Sequence, residues 1–138
     1  AEITDVLLDE FLAKDTLAGA RKLVADLGFT LVSAAAVLPD VWIPGPARAA
    51  SLETWRKRCE QYKTLGLAKI YCPSITSRPV TREDFAATPA CIREVGDIAR
   101  GFGIRGWADV EMHRNDDDRT QVETGTAFLV GAALRYSF

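Results

Sequence analysis

Three glycines set the rhythm of this chain. Gly28, Gly66 and Gly103 stand 38 and 37 residues apart, and each closes a helical pattern and opens an apolar run. Glycine just past a helix end takes the left-handed conformation without a Cβ penalty, so a recurring glycine of this kind predicts a recurring helix-to-strand turn. The runs that follow are Phe29 to Ser33, Leu67 to Cys72 and Ile104 to Met112. Their β-branched and aromatic content is that of strands in a sheet covered on both faces.

The intervening segments read as helices. Leu52, Trp55, Cys59, Tyr62 and Leu65 fall on one helical stripe, with Ser51 as the expected N-cap. Trp55 and Tyr62 belong to the expected core. Ile92, Val95, Ile98 or Ala99, and Phe102 form another stripe, with Thr88 as cap and Pro89 at the first helical position. Thr81 to Asp84 has the form of a capping box for a short turn upstream. A further helix is expected over about Asp15 to Leu27, with Leu17, Ala20, Leu23, Val24 and Leu27 facing inward.

Strands alternating with helices imply βαβ crossovers and a parallel sheet, hence an α/β fold. Ligands of parallel sheets bind in the loops beyond the carboxyl ends of the strands. Here those loops are long, Leu38 to Ala50 and Pro73 to Val80, whereas the turns at the other rim are minimal. One rim is therefore expected to carry function and the other only to connect.

Composition removes several classes. Among the 138 residues 48% are hydrophobic and 26% charged, and the net charge is -2, which offers no footprint for nucleic acid or an anionic membrane. No apolar run approaches the roughly 20 residues of a spanning helix. Glu2 and Asp5 stand where a signal peptide would be basic, so a cytoplasmic protein is expected. Cys59, Cys72 and Cys91 lack metal-binding spacing and read as three reduced, core-forming thiols.

The stretch from Ala18 to Asn115 resembles the xylose isomerase-like sugar phosphate isomerase/epimerase family. The likeness is carried by Arg21 to Leu31, Cys59 to Gly66, and Ile98 to Ile104 leading to Val110-Glu111. The resemblance implies repeated βα units forming part of a TIM (β/α)₈-type barrel, a fold that takes about 250 residues when whole. It places this chain from the second strand to the fifth, with Ile3 to Leu8 as the end of a strand, and leaves the first strand and the last three βα units without a counterpart. The family holds a divalent cation through four residues, usually Glu, Asp, His and Glu, on separate strands. Of these only the first glutamate is matched here, by Glu111.

Asp109, Glu111 and His113 alternate along the expected strand and would share one face of it. Two carboxylates and an imidazole suit Mn²⁺, Mg²⁺ or Zn²⁺. A metal there would polarise a sugar carbonyl while Glu111 or His113 served the proton transfer between adjacent carbons. The bland alternative is a half-exposed strand with solvated polar residues. Trp42, Tyr71, Ser74 and Arg78 lie on or next to the loops of the expected active rim and are candidates for binding a sugar or sugar phosphate. For Trp42 packing is the competing role, and for Arg78 a solvated loop position. Lys69, inside a strand, is expected to snorkel outward.

Residues 1–114 are thus expected to be a partial (β/α) barrel and 115–138 a C-terminal tail with no assigned structure. Asp116-Asp117-Asp118 reads as a solvated loop, and the apolar end of the tail fits a strand or a helix equally. Open sheet edges are sticky, so either a homodimer or coverage of an edge by the tail is expected. Two alternatives to a metal-assisted sugar isomerase/epimerase stand beside it. One is a non-catalytic fragment or binding module of the same fold. The other is a small cone-shaped α+β dehydratase or isomerase, suited by a helix over Ile3 to Ala13 and a terminal hairpin.

Overall fold

The computed structural model describes residues 1–73, 75–113 and 131–137. Its elements run β1 (Glu2–Thr4), α1 (Asp5–Leu12), α2 (Leu17–Asp26), β2 (Ser33–Ala35), α3 (Pro46–Thr64), β3 (Lys69–Tyr71), α4 (Arg82–Gly101), β4 (Arg105–His113) and β5 (Gly131–Ser137). The strands form one sheet in the order β1-β2-β3-β4-β5. β1 to β4 are parallel neighbours, and β5 joins β4 antiparallel. The parallel order is that of successive βα units and not of the mostly antiparallel cone fold.

The glycine rhythm has a common physical basis. Gly28, Gly66 and Gly103 have φ of 68°, 81° and 75°. At each, the glycine N–H and the next residue's N–H turn back to helix carbonyls: Gly28 to Ala25 and Phe29 to Val24, Gly66 to Lys63 and Leu67 to Tyr62, Gly103 to Arg100 and Ile104 to Ala99. These are three copies of one Schellman turn.

Several expected boundaries move. The chain before Leu8 is not one strand: β1 ends at Thr4, whose hydroxyl accepts from Leu7 N–H and starts α1. β2 is not the aromatic run from Phe29 but Ser33–Ala35, leaving Phe29 and Val32 59% and 58% exposed. The small alanines Ala34 and Ala36 fit under the helices, where close approach counts for more than β propensity. In α2, Ala20 is buried but Leu23 and Leu27 face outward. β3 shortens to Lys69–Tyr71.

α3 starts at Pro46, after Gly45, rather than at Ser51. The Ser51 hydroxyl instead donates to Pro39 O at 2.5 Å, tying the helix to the preceding loop. α4 starts at Arg82, capped by Thr81, whose capping box with Asp84 forms in full, and continues past Pro89. An internal proline costs about 3 kcal/mol. Burial of Cys91, Ile92, Val95 and Ala99 along α4 offsets it, each buried side chain contributing roughly 1–3 kcal/mol according to size.

The core lies between the sheet and its helices: Leu8, Ala34, Trp55, Cys59, Tyr62, Ile70, Cys72, Ile92, Val95 and Ile104 are buried together. Trp55 donates its indole N–H to Val95 O at 2.9 Å, joining α3 to α4. The Tyr62 hydroxyl donates to Ala35 O at 3.1 Å, joining α3 to β2. All three cysteines are free and buried, and burial pushes the Cys59 thiol up to about 12. Among the described residues no helix is long and apolar enough to cross a membrane.

Candidate functional site

The carboxyl ends of β2 and β3 open into two loops that are laced together. Asp40 is the hinge of the first. Its φ of 59° is a left-handed conformation that Asp tolerates better than most residues. Its N–H donates to Ile75 O at 2.9 Å, and its carboxylate accepts from Ser77 N–H at 2.7 Å and from the Ser77 hydroxyl at 2.6 Å. These two Ser77 bonds hold the Asp40 carboxyl below the usual carboxylate range.

Trp42 sits across the same junction. It is 1% exposed, and its indole N–H reaches Pro73 O at 3.2 Å. Arg78 closes the far side. Its guanidinium meets both oxygens of Asp84, at 2.5 and 2.8 Å, and donates to Pro44 O at 3.1 Å. Asp84 is buried, and Arg78 together with the Thr81 N–H and hydroxyl holds its carboxyl well below the usual range. The rim is therefore set by hydrogen bonds that tie the buried Asp40, Trp42 and Asp84 to the neighbouring loop, including the exposed Ser77 and Arg78.

Tyr71 ends β3, half-buried on the side of the sheet away from the helices. Ser74 lies outside the described residues. Trp42, Arg78 and Tyr71 are brought to one rim. Asp40, Ser77 and Asp84 were missed by the sequence reading. The Pro39-Asp40 dipeptide is a turn signal that would have flagged the first, and the capping box already contained the last.

β4 carries the three metal-donor candidates past this rim. β3 pairs with β4 only over Lys69↔Arg105 to Tyr71↔Trp107. From Trp107 to His113, β4 pairs residue for residue with β5, setting Asp109 opposite Arg135, Glu111 opposite Ala133 and His113 opposite Gly131. Asp109, Glu111 and His113 thus occupy alternate positions of an uninterrupted strand, beyond the carboxyl end of its parallel neighbour. Their chemistry fits a divalent cation. The spacing limits how: positions two apart lie about 7 Å from each other along a strand, but positions four apart about 13 Å. Glu111 and one neighbour can share an ion with bonds of roughly 2.0–2.6 Å, whereas Asp109 and His113 together would be stretched to do so.

No protein-family model and no curated protein matches the sequence. Solved structures do resemble the fold. One is the IolI protein with a bound zinc atom, with TM-score 0.63 and 17% identity over 78% of this chain and 40% of that one. Another is an L-ribulose 3-epimerase, with TM-score 0.58 and 18% identity over 76% of this chain and 37% of that one. The chain spans about 40% of the length of these structures. The shared architecture is a partial α/β barrel fold with parallel strands.

Proposed function

We propose that this chain carries half of a sugar isomerase/epimerase-type site, with Glu111 as its metal ligand. The observation that carries the reading is the position of Glu111. It lies near the end of β4, beyond the carboxyl rim of the parallel strands, in a fold similar to a zinc-bound protein and a sugar epimerase. In barrels of this kind chemistry belongs to that rim.

In this reading Glu111 and Asp109 hold a Mn²⁺, Mg²⁺ or Zn²⁺ ion together with donors from outside β4. The cation, when bound, supplies polarisation of a sugar carbonyl and its neighbouring hydroxyl. His113 takes the proton from the carbon beside the carbonyl and delivers it to the carbonyl carbon, while the proton of the neighbouring hydroxyl passes to the carbonyl oxygen. Tyr71 and Ser74 line the sugar, and Trp42 and Arg78 hold the loops around it. A phosphate on the sugar would have to compete with Asp84 for Arg78.

A second reading has its own support. It is a non-catalytic binding module of the same fold, favoured by the spacing of about 13 Å along β4 between Asp109 and His113, which keeps the two from sharing one ion. Native mass spectrometry in Mn²⁺ separates the two. One metal per chain, lost in Glu111→Gln, together with turnover of a ketose or aldose, is expected for the first. A metal-free species at saturating Mn²⁺ overturns it and leaves the second. Loss of metal in His113→Gln would move His113 from proton carrier to ligand.

A further inference from the structure

Among the described residues the four parallel strands are covered on one face only. Ile3, Ala34, Ile70 and Ile104 pack toward the helices in the core. The alternate residues point the other way and are solvated: Glu2, Thr4, Lys69 and Arg105 are exposed, and Ser33, Ala35 and Tyr71 half-buried. Parallel sheets occur almost only with both faces covered, so this polar face is suited to receive a further layer.

The register arranges its charges in a row. Glu2 pairs with Ser33, whose hydroxyl donates to the Glu2 carboxylate at 2.8 Å. Ser33 is one residue before Ala34, and Lys69 one before Ile70, its partner on β3, so Lys69 continues the row. Arg105 pairs with Lys69 and ends it. The row therefore runs from a carboxylate at the β1 edge to two cations at β3 and β4. Neither Lys69 nor Arg105 forms an ion pair among the described residues. β5 joins β4 only from Trp107 onward and leaves the Arg105 end clear.

Such a row is complementary to itself. A two-fold axis lying parallel to the strands, between β2 and β3, sets one copy's row on the other's in reverse order. Glu2 then faces the second copy's Arg105, and Ser33 its Lys69. Thr4 and the small Ala35 lie in the layer above. We propose that the open face is the docking surface for a second copy of this chain, packed sheet to sheet. Each copy then supplies four parallel strands around a shared interior, the number that two halves of a (β/α)₈ barrel require. The interface is isologous, as closed dimers require. The inference stands on the sheet alone and does not depend on metal binding or turnover.

Charge exchange followed by sedimentation equilibrium tests it. The unaltered chain is expected to be a dimer at micromolar concentration, with a Kd that rises with salt. Glu2→Lys, or Lys69→Glu with Arg105→Glu, puts like charges together and is expected to weaken the dimer at least ~10-fold. The three substitutions combined restore the opposite-charge pairing and the dimer, which a merely unfolded variant would not do. Circular dichroism confirms that each variant keeps its helices. A monomer at every concentration, or a dimer indifferent to all the exchanges, overturns the proposal.

Discussion

The two faces of the same short strands differ in what they ask of the side chains. On the helix side, residues are small or branched and sealed: Ala34, Ile70, Cys72 and Ile104 are at most 2% exposed. Their few polar neighbours are fully used, as in the bonds of Trp55 to Val95 O and Tyr62 to Ala35 O. On the other side the same strands present Glu2, Ser33, Lys69 and Arg105, none of them buried. The period-two alternation of a strand makes both faces from one sequence, so stability and recognition are separated without separate elements. The difference teaches where substitutions should hurt.

The sealed face should fail hardest. Trp55→Ala removes a fully buried indole and its bond to Val95, and a loss of about 3–5 kcal/mol in unfolding free energy is expected from urea titration. A loss below 1 kcal/mol would mean that α3 and α4 are not held through this contact.

The loop lock comes next. Asp84 sits below its ordinary pKa through Arg78 first and then Thr81, so its contribution is fully present above the unfolded value of about 4. It is lost as pH falls through the depressed folded value. Thermal melts should therefore show Asp84→Asn less stable at pH 7, with a flatter decline below pH 4 than the unaltered protein. Equal slopes would sink the lock as described.

Tyr62→Phe keeps the ring and removes only the hydroxyl that reaches Ala35 O, and should cost about 1 kcal/mol. The open face should show the smallest effect of all. In dilute protein Lys69→Ala should alter unfolding free energy by no more than about 0.5 kcal/mol. If that change proves as costly as Trp55→Ala, the face is already covered and the contrast between the two faces dissolves.

The sealed face also shows how much could be read in advance. The Trp55, Cys59 and Tyr62 stripe and the Ile92 and Val95 stripe needed only helical spacing, and all five residues are buried. The helix starts were harder. Thr88-Pro89 looked like a beginning, but Thr81 and Asp84 had already satisfied the orphan N–H groups one turn and more upstream. The placement of Tyr71, Trp42 and Arg78 at one rim was legible because they lie in or beside the long loops. Asp40 and Asp84 were not, because their roles depend on Ser77 and Arg78 arriving from another βα unit.

By itself the sequence determined the βα repeat, since each Gly-closed helix and each apolar run is specified within a few neighbouring residues. The tertiary structure decided which alanines count as strand, which leucines stay outside and what the end of the tail becomes. β5 is a strand because β4 offers it an edge from Trp107 to His113, and an apolar segment of ambiguous period takes the conformation that its partner's hydrogen bonds complete. Local rules fix turns and stripes; pairing across the chain fixes the rest.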